Sequence, residues 1–175
     1  MTVQLQTAKF LAPCLYVLQK MGTLTKHHLS KVLYVADKDH IGSYGRTLTG
    51  DIYVAMKNGP VPSRLYDFIK VVQGQSDGTY VAKFVKYLPE FIAFKSPHFV
   101  LAKQAPNMDF LSASAIQALD KAIKIVGPMN YEQRTDFSHD EAWKSVRLNQ
   151  KIPLIEIAKA AGANEAMIDY IKAIN

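Results

Sequence analysis

The sequence predicts an α+β fold, predominantly helical, as a single domain with a small antiparallel sheet or hairpin packed on a helical core. Three observations carry this. Apolar residues recur at helical spacing in several segments bounded by Ser, Thr, Gly or Pro. Short aromatic and β-branched runs separated by turn residues occur only near residues 51–56 and 91–101. No repeat, low-complexity tract or linker divides the 175 residues, a length suited to one domain.

Residues 6–21 form the first predicted helix. Phe10, Leu11, Cys14, Leu15, Leu18 and Met21 recur at helical spacing, and Gly22 ends it. Pro13 either starts its regular part or kinks it. Thr23 or Thr25 caps the next helix, which runs to about Tyr44. Its core stripe is Leu29, Val32, Leu33, Ala36, His40 and Ile41; Lys26, Lys31 and Lys38 are expected to face water. Gly42 and Gly45 mark its exit.

Ile52-Tyr53-Val54 is a strand candidate and Asn58-Gly59-Pro60 a turn, with Pro60 and Pro62 fixing two φ angles. Ser63 is expected to cap a helix ending at Gly74. Residues 75–82 read as a loop. Phe91–Phe94 and His98–Leu101 read as a hairpin, expected to share one sheet with residues 51–56. Ser112 or Ser114 caps a helix stopped by Gly127-Pro128, and Ser138 is expected to cap HDEAWKSV. Two helices around Gly162 close the chain.

Composition limits the function classes. Hydrophobic residues make up 49% and charged residues 21%, enough for a real core. No apolar run approaches the roughly 20 residues that span a membrane, no signal-peptide layout appears, and the one cysteine, Cys14, lies in an apolar helical pattern. These features predict a cytoplasmic protein without membrane attachment. Residues 1–103 carry thirteen Lys/Arg against six Asp/Glu, a balance of +7; residues 104–175 carry eight against nine, a balance of −1. The favoured reading is scattered surface lysines, since no basic run supports a nucleic-acid partner.

Chemistry-bearing clusters are few. Asp37, His40 and Tyr44 share one helix side, where a carboxylate beside an imidazole orients a general base or supplies two metal ligands. The stronger reading is a core-edge histidine bonded to Asp37, because no further His or Cys completes a metal set. Nucleophile elbows, Walker loops and zinc motifs are missing. We therefore assign no catalytic residue, cofactor or metal, and expect no enzyme. Ala158-x-x-x-Gly162 has helix-turn-helix spacing, but Glu165 and Asp169 against Lys172 would repel DNA phosphates. Tyr34, Tyr44, Tyr53 and Tyr66 suit either protein recognition or a core.

The stretch KVLYVADKDHIGSYGRTLTGDIYVAMKNGPVPS carries Lys31, Leu33, Tyr34, Ala36, Asp37 and His40, then Tyr44-Gly45-Arg46, Thr49-Gly50-Asp51, Tyr53 and Ala55, then Gly59-Pro60-Val61-Pro62-Ser63. Ser138-His139 with Trp143 follows. In this order these residues resemble the signature of the SocA-like antitoxin family, also called the Panacea domain, over about residues 10–147. The resemblance implies a domain over 1–150 with a C-terminal helical extension, 151–175, packed on it. It further implies an antitoxin, often phage-associated, that neutralises a cognate toxin by direct contact and in some members delivers it to an ATP-dependent protease. We expect Tyr44, Arg46, Asp51, Tyr53 and Arg64 to bind the partner. Lys31, Tyr34, Asp37, His40, Gly45, Thr49, Gly50, Gly59, Pro60, Pro62, Ser63, His139 and Trp143 are expected to be structural. Homo-oligomerisation fits too. The alternative is a winged-helix-like transcriptional regulator, with residues 91–101 as the wing.

Overall fold

The computed structural model describes residues 1–75, 84 and 86–174. It is a predominantly helical α+β fold built around one helix. That helix, α2 (Lys26–Tyr44), has apolar residues on two faces, so it lies between two cores rather than against one. Leu29, Val32, Leu33 and Ala36 enter the larger core with α1 (Val3–Met21), α3 (Ser63–Val72) and α5 (Ala113–Val126). Tyr34 and Ile41 enter the second, with Tyr53, Ala55, Ala142, Ile157 and Ile171. Fully burying each aliphatic side chain is worth about 1.5–3 kcal/mol.

Local chemistry sets the ends of these helices. Thr25, not Thr23, caps α2, its hydroxyl accepting from His28 N–H at 3.1 Å. Gly45 closes it in the left-handed conformation, φ 68°. Ser112 caps α5, accepting from Ala115 N–H. Pro13 lies buried inside α1, which already begins at Val3.

The strands pair differently from expectation. β2 (Tyr53–Met56) folds back on β3 (Gly59–Pro62) through Lys57-Asn58, forming a two-stranded sheet. α4 (Leu88–Phe91) leads into β4 (Ile92–Phe94) and β5 (Phe99–Ala102); this hairpin pairs instead with β1 (Leu24–Thr25), in the order β1-β5-β4. The prolines that read as a turn are therefore strand residues. Tyr53 and Ala55 direct their backbone groups away from β3: Ala55 N–H donates to Gln150 O, and Ile152 N–H to Tyr53 O. Opposite them, Pro62 and Pro60 have no N–H to lose from the ladder. Most of the expected 75–82 loop lies outside the described residues.

Two expected caps are replaced. Ser63 begins α3 with no capping bond; the Asp51 carboxylate caps that helix by accepting from Arg64 N–H and Leu65 N–H at 2.9 and 3.0 Å. Ser138 ends α6 (Tyr131–Ser138), and Asp140 caps α7 (Glu141–Lys144). Near the C-terminus, α8 (Leu154–Ala160) and α9 (Glu165–Ile174) pack on α2. A Cβ at Gly42 would come within 2.8 Å of the Ala161 Cβ, so Gly42 marks a helix contact rather than the helix exit.

Gly45 faces both a backbone and a packing constraint, since a Cβ there would meet the Tyr170 ring at 2.9 Å. Gly45→Ala is expected to cost about 1–3 kcal/mol from backbone strain, plus a repacking cost on top. Gly162→Ala, also at positive φ but with nothing within 4 Å, carries only the strain. Chemical denaturation of the two variants should place Gly45→Ala clearly lower.

Candidate protein-binding surface

The loop joining α2 to β2 is held from inside by Asp37. Its carboxylate is fully buried and accepts from Leu48 N–H at 2.6 Å, Thr49 N–H at 3.1 Å, the Thr49 hydroxyl at 2.5 Å and the Tyr53 hydroxyl at 2.7 Å. Burial raises its pKa to about 6, against the opposing pull of these donors. Thr49 Oγ1 also accepts from Asp51 N–H, and Gly50 takes φ 70°. Asp37 thus orders the loop that delivers Asp51 to α3.

His40 does not bond Asp37. Nδ1 lies 2.8 Å from Arg46 O and Nε2 3.2 Å from Ser114 Oγ. A carbonyl only accepts, so Nδ1 carries a proton and donates it to Arg46 O, while Nε2 faces the Ser114 hydroxyl. Among the described residues, no group of His, Cys, Asp and Glu is arranged to hold a metal ion. Tyr34 donates to Asp140, which also pairs with Lys38 at 2.7 Å and accepts from Trp143 N–H. Trp143 donates from Nε1 to Met56 O, and its ring stacks on His139 at 3.8 Å. Asp140 thus joins α2 to α7, a role its place at a helix start did not disclose.

Lys31 corrects a clear expectation. It is 1% exposed, its ammonium donating to Pro60 O at 2.9 Å, and burial lowers its pKa to about 7. Lys26 and Lys38 are half-buried and bonded to Gln73 and Asp140. Gly59, at φ 99°, is required by this arrangement: a Cβ would come within 2.7 Å of Lys31 Nζ and 2.4 Å of Ser138 Oγ.

The five expected partner-binding residues separate. Tyr53 and Asp51 are buried, 1% and 4% exposed, and serve the interior; they present no contact surface. Tyr44, Arg46 and Arg64 are exposed. Arg64 is tied to Gly50 O at 3.1 Å, while Arg46 lines an apolar cleft of about 680 Å³ between the loop and the terminal helices. Ile52, Leu154, Ile155 and Ile174 also line it, with Lys151 and Lys172 among the residues at its border. The individual residues of its C-terminal wall come from a segment that carries no recognisable motif to single them out.

The antitoxin SocA-like, Panacea domain family matches residues 29–144, well over half of the chain. The chain belongs to that family. Searches of curated proteins and of solved structures return no match. The Panacea match spans α2 from Leu29 onward, the Asp37-ordered loop, the β2–β3 hairpin and the Asp140–Trp143 joint; α8 and α9 lie beyond its end. An antitoxin-like role in general follows, and no helix among the described residues is long and apolar enough to cross a membrane.

Asp37 gives a pH signature. Its folded pKa, about 6, lies above the unfolded value of about 4. The folded state therefore holds the proton more tightly, and the contribution of Asp37 to stability falls as pH rises from about 4 to 6, by up to about 3 kcal/mol, then levels off. The stability difference between wild type and Asp37→Asn, measured by denaturation across that range, should follow this slope. His40→Ala strands Arg46 O and is expected to cost about 1–3 kcal/mol, read as a lower melting temperature.

Proposed function

We propose that this protein neutralises a cognate toxin by binding it directly through the cleft between the α2–β2 loop and the terminal helices. The observation that carries this reading is the union of exposed apolar and aromatic side chains with cationic groups around one concavity. Ile52 and Ile174, each at least 38% exposed, line the cleft with Arg46, Lys151 and Lys172, and the lining Gly45 is followed around its edge by two exposed rings, its chain neighbour Tyr44 and Tyr170, which packs against it. Large amphipathic anchors and Arg are the usual sources of interface energy. The complementary toxin segment presents an apolar anchor flanked by Asp or Glu. No enzymatic step is needed for neutralisation of this kind. Transfer of the bound toxin to an ATP-dependent protease would follow complex formation and rests on the family alone.

One observation favours a second reading. The order β1-β5-β4, with the short β1 between two helices, is the sheet order of a winged helix, placing α3 as the candidate recognition helix. Its charge is a weak footing, because Lys70 is paired with Asp67 at 3.0 Å. DNA binding would weaken steeply with rising salt.

Co-expression with the product of the adjacent gene tests the first reading. A purified complex and restored growth are expected. Ile52→Glu or Arg46→Glu should weaken binding by about 2 kcal/mol or more, with an unchanged melting temperature. Failure to form a complex or rescue growth rejects toxin binding, and intact binding by both variants rejects this cleft.

A further inference from the structure

A second cleft, of about 420 Å³, shares no lining residue with the first. Its walls include Lys26, His27, Lys31, Lys57, Tyr66 and Tyr131, and among the described residues no Asp or Glu lines it. Lys31 is the unusual member. A buried ammonium needs a counter-charge or a full set of acceptors. Lys31 has three donors, one acceptor in Pro60 O, and no carboxylate within ion-pair distance among the described residues.

The surroundings add to the positive charge. Lys57 stands exposed at the rim, and neither it nor Lys26 has a carboxylate partner among the described residues. The first turn of the 19-residue α2 contributes Lys26 and His27 to the wall. His27 keeps Nε2 near Thr135 Oγ1 at 3.3 Å, and its buried ring lies beside the Asn58 backbone. Burial, and then the charges of Lys31 and Arg134, lower the pKa of His27 to about 4, so the ring is neutral near pH 7. Its ring packs on Tyr131 at 4.3 Å, giving the cleft an aromatic side.

We propose that this cleft binds a small molecule bearing a phosphate group, with the phosphate neutralising Lys31, Lys57 and Lys26 and an apolar body lying against Tyr66 and Tyr131. Two ammonium groups and the buried Lys31 amine, which a bound anion would charge fully, with no carboxylate partner among the described residues, match a phosphomonoester, at about −1.5 to −2 near pH 7, better than a single carboxylate. The cleft volume lies within the ordinary range for small-ligand sites. This site is separate from the toxin-facing cleft, and its test needs no toxin.

The full chain, labelled with nitrogen-15, is titrated with phenyl phosphate, inorganic phosphate and benzoate at constant ionic strength and followed by amide NMR. Saturable shifts are expected at Thr25–Lys31 and at Lys57 and Asn58, with phenyl phosphate tighter than inorganic phosphate and benzoate weakest. Lys31→Met should weaken phenyl phosphate at least about tenfold, the loss expected for one charge-assisted bond. If that variant does not fold, Lys26→Gln combined with Lys57→Gln, which leaves the buried lysine in place, should also weaken binding at least about tenfold. Absence of saturable shifts overturns the proposal. So does benzoate binding as tightly as phenyl phosphate, or wild-type affinity in whichever folded variant is measured.

Discussion

The buried carboxylate of Asp37 is the constraint on which the rest of this structure depends. An ionised group without solvent is costly unless its lone pairs are filled. Here four donors from Leu48, Thr49 and Tyr53 converge on it. Meeting that demand fixes the path of the chain as it leaves α2. The same path sets Asp51 against the start of α3 and turns Tyr53 inward, leaving Ile52 outside. An interior electrostatic requirement thereby determines which side chains the loop displays.

Other joints follow the same logic. Asp140 gathers Tyr34, Lys38 and the start of α7, His40 bridges Arg46 to Ser114, and Lys31 meets Pro60. Most of the polar residues in the family stretch are used between elements rather than on the surface. The stretch therefore describes a scaffold closely and its outer face only loosely. The outer face is completed by Leu154, Ile155 and Ile174, which lie beyond the matched residues.

Features set by neighbouring residues were legible in the sequence. The long helices, their threonine and serine caps to within two residues, a glycine-marked exit near residue 45 and the hairpin ending near residue 102 all arise from interactions a few positions apart. Features set by distant partners were not. Asp51 caps a helix thirteen residues onward, displacing the nearby Ser63. Lys31 is buried because a carbonyl 29 residues away needs a donor, although lysine ordinarily signals water. Strand pairing failed for the same reason: a two-residue turn and a short pre-helix strand compete for partners, and period-two patterning cannot choose between them. For the surface, Tyr44 and Arg46 were within reach as exposed candidates. Tyr53 was not separable from them, because an aromatic with a hydroxyl suits both settings.

Pro60 and Pro62 have a consequence for how partners attach. One edge of β2 is occupied by residues 149–152, and the outward edge of β3 lacks amide donors at both prolines, with the Pro60 carbonyl already held by Lys31. This small sheet offers no ladder to an incoming strand. It leaves only side chains for a partner to meet, and their substitution leaves the backbone hydrogen bonding intact. A hairpin closed in this way can change its surface side chains by mutation without exposing a strand edge, so at this sheet a change of surface chemistry carries no added risk of edge-to-edge aggregation.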